Sequence, residues 1–115
     1  MAKIVVAVDS FKGSMDSLEA GHAVKRGIER VCGEETQIIV KPVADGGEGT
    51  MRAVTEGLRG TYVSVNVTGP FGTKVTAVYG MVQERKLAVM EMAEAAGITL
   101  VDQSTLDPAS ATTYG

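Results

Sequence analysis

The chain has no tryptophan, three tyrosines and two phenylalanines among its 115 residues. That is too few rings for the aromatic platforms on which single-stranded nucleic acid stacks. A basic excess is missing too. Eleven Lys and Arg stand against fourteen Asp and Glu, for a net charge of −3, so the positive footprint that a phosphate backbone requires is absent. No nucleic-acid partner is expected. The single cysteine, Cys32, cannot form an internal disulfide and fits a reducing compartment. No histidine pattern points at it, and it reads as a small apolar residue near a helix end rather than a nucleophile. His22 is the only histidine and falls on the charged side of a helical pattern, so no catalytic role is assigned to it. The apolar start, Met1 to Val8, is far too short for a membrane span and has no signal-peptide cleavage pattern. The expectation is a soluble, cytoplasmic protein with no membrane partner; its oligomeric state is not legible.

What is present is an ordinary globular composition, 44% hydrophobic and 22% charged, enough for one modest core. Ile4-Val5-Val6-Ala7-Val8 is a continuous apolar run. It predicts a strand over Lys3–Val8 buried on both faces, as in a parallel sheet covered by helices. Asp16 stands three residues before Glu19, the spacing of a capping box. Leu18, Gly21, Val24, Ile28 and Val31 then recur at helical intervals, up to Gly33 at the favoured C-terminal position. Gln37 to Val43 reads as a second strand, with Pro42 marking its end. Thr50 to Leu58 reads as a second helix, closed near Gly60. The order strand, loop, helix, strand, loop, helix implies parallel strands. Both loops would then leave the carboxyl ends of their strands, where open α/β sheets bind ligands.

Those two loops carry the chemistry. Asp9-Ser10-Phe11-Lys12-Gly13-Ser14 forms the first and Asp45-Gly46-Gly47-Glu48-Gly49-Thr50 the second. Three glycines in four residues permit positive φ and close backbone approach to a ligand, at a cost in chain entropy. Carboxylates in such a turn suit Mg²⁺, and its amides suit phosphate. Phosphoryl transfer needs this set: a cation, N–H donors, and a carboxylate to hold the metal or orient a hydroxyl. Neither loop is a Walker A sequence or a dinucleotide fingerprint. Plainer readings stand beside these: Asp9 ending a strand, Ser14 or Asp16 capping a helix, Gly46-Gly47 as a bare tight turn. From residue types alone, an α/β enzyme acting on a phosphorylated or carboxylated small molecule and a non-catalytic metabolite- or phosphate-binding module both remain open.

The pattern changes at Thr61. Tyr62–Thr68 and Thr73–Val82 alternate strictly, and Leu87–Ala93 follows a charged link at Gln83–Lys86. Three strands with short connections predict an antiparallel meander and a domain boundary near Gly60, giving domains 1–59 and 60–115. Glu91, between Met90 and Met92, would be either a buried carboxylate in need of a partner or an edge residue facing water. The six methionines read as core fillers. A half-built parallel sheet beside a bare meander suggests a piece of a larger protein.

The loop sequences Val8–Ser14 and Pro42–Thr50, with Val67-Thr68-Gly69-Pro70, Glu91-Met92-Ala93, Ala96-Gly97 and Thr112-Thr113-Tyr114-Gly115, closely resemble the bacterial glycerate kinase family in order and spacing. Val8 stands where many members have proline, and Glu94 and Ala95 fall in a stretch more often uncharged and alanine-rich. The resemblance implies an ATP-dependent kinase phosphorylating D-glycerate with Mg²⁺. It also implies a Rossmann- or flavodoxin-like parallel-sheet domain with a second α/β domain inserted, of which this chain covers the start of both. Family members are much longer, so this piece is expected to be inactive alone. Asp9, Lys12 and Asp45 are the candidate catalytic residues and Asp45 and Glu48 the candidate metal ligands. Ser10, Gly13, Ser14, Gly46, Gly47, Gly49, Thr50, Glu91, Thr112 and Thr113 are the candidate contacts to substrate or nucleotide.

Overall fold

The computed structural model describes residues 2–33 and 35–115. By packing the chain divides into two compact units, Met1–Ala53 and Val54–Gly115, each described by itself below.

The first unit holds a two-stranded parallel sheet and a long helix. Strand β1 (Lys3–Val6) pairs in parallel with β2 (Gln37–Val40), Ile4 opposite Ile38 and Val6 opposite Val40. Both strands end earlier than the apolar runs suggest, at Val6 and Val40 rather than Val8 and Val43. The ladder nevertheless continues into the loops, where Lys41 N–H donates to the Val6 carbonyl (2.8 Å) and Val43 N–H to that of Val8 (3.3 Å). Between the strands runs α1 (Ser17–Cys32). Its start is the capping box that the sequence predicts. The Asp16 carboxylate accepts from Glu19 N–H (2.8 Å), and Glu19 accepts in return from Asp16 N–H (3.0 Å). Such a cap stabilises a helix by about 1 kcal/mol.

Ala20 and Gly21 are buried on α1, and Gly21 lies so close to β2 that an added Cβ would overlap Val40 Cγ1. Glycine is what lets the helix seat this low on the strand. The helix face is narrower than its periodicity predicts, because Val31, in the last turn, is 86% exposed. Burial of β1 on both faces is also corrected. Val6 is buried, but Val5 is 58% exposed. Side chains of successive strand residues point to opposite faces, and in this chain only one face of the strand is covered.

A second helix, α2 (Thr50–Gly57), crosses the division between the units. The second unit is the expected meander. Strand β3 (Thr61–Thr68) pairs antiparallel with β4 (Lys74–Val82), and β4 with β5 (Leu87–Val89). Ala77 and Val82 are buried. Thr55 of α2 is fully buried against β4, where an added Cβ on Gly80 would overlap the Thr55 side chain. Strand β5 stops four residues short of Ala93. Met92 carbonyl oxygen accepts from Ala95 and Ala96 N–H (3.1 and 2.9 Å) to begin α3 (Ala93–Ala96), so the backbone there closes a helical turn instead of a ladder. Glu91 accordingly lies outside the strand, half-buried. Glu94 takes over part of the β4 edge, its carboxylate accepting from Val78 N–H (3.0 Å).

The methionines are not uniformly core fillers. Met51 is fully buried, whereas Met90 and Met92 are 75% and 64% exposed. Two single 3₁₀ turns follow α3, at Ile98–Leu100 and Gln103–Thr105. The final segment is irregular but anchored: Thr112 N–H donates to the Pro70 carbonyl (2.9 Å) in the turn between β3 and β4. Among the described residues no helix is long and apolar enough to cross a membrane.

Candidate functional site

Because β1 and β2 are parallel, the loops that follow them leave the same edge of the sheet. The bonds at Val6–Lys41 and Val8–Val43 hold the two exits side by side up to Val8 and Val43, one residue before Asp9 and two before Asp45. Asp9, Ser10, Lys12, Gly13 and Ser14 are thereby brought to one sheet edge with Asp45, Gly46, Gly47, Glu48, Gly49 and Thr50.

The first loop is a closed turn. Phe11 N–H donates to the Met15 carbonyl (2.9 Å), and the Phe11 carbonyl accepts from Ser14 N–H (2.9 Å) and Met15 N–H (3.2 Å). Gly13 takes φ +76° within it. Lys12 lies at the tip, exposed, with its charged end free to reach an anion. Asp9 Oδ1 accepts from Ser10 N–H (2.6 Å), which fixes the carboxylate at the mouth of the turn. Asp16, weighed as a mere cap, is one. Ser14 does not cap α1, whose N-cap position belongs to Asp16.

The second loop uses its glycines differently from one another. Gly46 and Gly49 sit at φ +100° and +90°, a region where an L side chain is strained by roughly 1–2 kcal/mol. Gly47 has no such φ. Its N–H donates to Asp45 Oδ1 (2.9 Å), and Thr50 N–H donates to the Gly47 carbonyl (3.2 Å). Asp45 and Glu48 are exposed. The Thr50 hydroxyl, at the first position of α2, is buried and has no hydrogen-bond partner among the described residues. A buried hydroxyl without a partner costs on the order of 1–3 kcal/mol, so this atom is one that a bound polar group would relieve.

Glu91, Thr112 and Thr113 belong to the second unit. The Thr112 hydroxyl is engaged within its own segment, accepting from Tyr114 N–H (3.1 Å). An apolar pocket of about 190 Å³ in that unit, lined by Pro70, Phe71, Gly97, Ile98, Val101 and Leu106 among others, contains none of the candidate residues. Neither does an open, polar groove of about 560 Å³ along the last turns of α1, at Arg26, Glu29 and Arg30. Among the described residues no cluster of three or more His, Cys, Asp or Glu could enclose a metal ion. The residues at the sheet edge can therefore offer a cation one or two carboxylates, not a complete protein cage. Sequence reasoning did not see the Gly47–Asp45 bond or the orphaned Thr50 hydroxyl, since neither follows from residue type or spacing.

Comparison with known proteins converges on one family. The model of the glycerate kinase family matches residues 4–115. The glycerate kinase of Halalkalibacterium halodurans is 44% identical over 115 residues, covering 100% of this chain and 30% of that protein. The glycerate 2-kinase of Escherichia coli (strain K12) is 40% identical over 113 residues, covering 98% of this chain and 29% of its own length. In structure, the chain is similar to a protein assigned as glycerate kinase 2 from Salmonella typhimurium LT2. The TM-score is 0.74 at 39% identity, over 99% of this chain and 30% of that one. The chain thus spans about 30% of the length of the curated relatives it matches. With a family match over nearly every residue and a like fold at the same level of identity, the chain belongs to the glycerate kinase family.

Proposed function

We propose that this chain is the N-terminal portion of an ATP-dependent kinase that phosphorylates D-glycerate, and that its two sheet-edge loops form part of the active cleft. The observation that carries the reading is the pairing of two acid-, glycine- and hydroxyl-bearing loops at the carboxyl edge of one parallel strand pair. The proposed parent architecture is a Rossmann- or flavodoxin-like domain opened by the first unit, with a second α/β domain inserted and begun by the meander.

In this reading Asp45 accepts the proton of the glycerate hydroxyl as its oxygen attacks the γ-phosphorus of ATP. The bond from that phosphorus to the bridging oxygen breaks, and ADP departs with the electron pair. Lys12 supplies positive charge to the phosphoryl oxygens, as a compact ammonium on a flexible stem can. Asp9, held by Ser10 N–H, orients substrate at the mouth of the first turn. Glu91, Thr112 and Thr113 are proposed contacts from the second unit.

Magnesium fits the residues present. It is commonly held by one or two carboxylates plus phosphate oxygens and water rather than by an all-protein cage. Asp45 and Glu48 are the residues that would hold it. When bound it would neutralise charge on the transferring phosphoryl group. The buried Thr50 hydroxyl gives the same place a donor for a phosphate oxygen or a metal-bound water. The 40% identity to a glycerate 2-kinase favours transfer to the 2-hydroxyl.

The test is a coupled assay of glycerate-dependent ADP release by a full-length protein carrying this segment, with phosphorus NMR of the product. Asp45→Asn is expected to lower kcat by roughly 10²–10⁴, the contribution of a positioned general base. Normal turnover by that variant would remove Asp45 from the chemistry, and ATP turnover insensitive to glycerate would remove the substrate assignment.

A further inference from the structure

Gly47 is the one glycine of its loop that backbone conformation does not explain. Gly46 and Gly49 have positive φ, and Gly47 does not. Steric contact explains it only in one direction. A Cβ built on Gly47 would meet a single atom within 4 Å apart from its chain neighbours: Asp45 Oδ1, at 3.1 Å. That is also the oxygen to which Gly47 N–H donates, at 2.9 Å. A side chain at position 47 would therefore press on the carboxylate that its own amide holds.

We infer that Gly47 is a positioning residue for Asp45. Its amide fixes one carboxylate oxygen, and its missing side chain leaves that oxygen room, so that Asp45 presents its second oxygen to substrate in one orientation. This rests on the proposed kinase reading and alters one part of it. An amide donating to Asp45 is not available to a phosphate, so within this loop the Gly47 N–H acts through the carboxylate and not on the transferring group. Asp45 in turn has one oxygen committed and one for substrate or metal, which makes it a one-oxygen ligand or proton acceptor. Holding reacting groups within a few tenths of an ångström is what such a restraint achieves, and misplacement of about 1 Å can cost on the order of 10²-fold in rate.

The test is a double-mutant cycle in the full-length protein, with Gly47→Ala, Asp45→Asn and the pair. Alanine keeps the amide but crowds Oδ1. Gly47→Ala is expected to lower kcat about tenfold with little change in the KM for ATP or in the unfolding midpoint. The same change on the Asp45→Asn background is expected to cost less than twofold. An undiminished loss on that background would overturn the inference and show that Gly47 meets the ligand directly. If Asp45→Asn alone leaves turnover normal, it is the kinase role of Asp45 that fails, and the two failures are distinct. A second readout needs no turnover. In ¹⁵N-labelled protein the Gly47 amide proton should exchange slowly with solvent because it is held by the Asp45 carboxylate, and Asp45→Ala should speed that exchange. An amide that does not respond to Asp45 would refute the hydrogen bond and with it the inference.

Discussion

Gly21 and Gly27 lie in the same helix, yet alanine at the two positions should move stability in opposite directions. In an exposed helix interior, Gly→Ala stabilises by about 1 kcal/mol, because alanine loses less backbone entropy on folding. Gly27 has nothing within 4 Å of an added Cβ and should show that full gain. At Gly21 the same Cβ would overlap Val40 Cγ1 on β2, and overpacking of this kind costs about 1–3 kcal/mol. The helix gain is common to both variants and cancels in their difference. Gly21→Ala should therefore be less stable than Gly27→Ala by about 1–3 kcal/mol, and close to or below the parent chain. Urea unfolding followed by far-UV circular dichroism measures this, as a shift in midpoint at constant slope. Removing the colliding methyls with Val40→Ala should turn Gly21→Ala from harmful to neutral or favourable on that background, a coupling that distant sites would not show. Equal stabilisation by the two alanine variants would refute the close seat of α1 on β2. The frame that sets the two loops at one sheet edge would then need another explanation.

Three further outcomes are expected. Gly46→Ala and Gly49→Ala should each destabilise by about 1–2 kcal/mol through the positive φ they must keep, whereas Gly47→Ala should cost little in the same unfolding experiment. Asp16→Ala should destabilise by about 1 kcal/mol by breaking the capping box, whereas Asp16→Asn should recover most of that loss, since asparagine caps nearly as well. Asp102 and Asp107 carry carboxyl pKa values lowered from 3.8. For Asp102 the cause is the backbone and then the side-chain hydrogen bond from Ser104; for Asp107 it is the Ser110 hydroxyl and then Ala109 N–H. A depressed folded-state pKa means that these turns are supported above the ordinary carboxylate range and lose that support as pH falls through the lowered value. NMR should show the Ser104 and Ala109 amides shifting only below about pH 4. A transition near neutral pH would contradict the assignment.

Much of this protein was legible in its residues because the signals are local. The capping box at Asp16 and Glu19, the helix that follows and the alternation of β3 and β4 depend on neighbours within a few positions. The structure reproduces each of them. The motif order from Val8 to Gly115 likewise placed the chain in its family, since side-chain chemistry at fixed spacing can be read without coordinates. Burial could not be read in this way. An unbroken Ile4–Val8 run implies two covered faces, but what covers a face is supplied by distant parts of the chain, and Val5 is open. Strand ends were misjudged for a related reason. Apolar residues persist to Ala93, while the backbone at Met92 gives its carbonyl to a helical turn, and competition between hydrogen-bond partners leaves no mark on hydropathy.

The same division holds at the candidate site. Residue types identified two loops rich in acid, glycine and hydroxyl, and the strand order placed them at one edge. Only the tertiary structure distinguished the glycines: Gly46 and Gly49 by their φ, Gly47 by the Asp45 oxygen beside it. Likewise it alone showed the Thr50 hydroxyl buried without a partner. Composition and spacing determine which chemical groups a loop owns. Where each lone pair and N–H points depends on torsion angles and contacts, and those exist only in the folded chain.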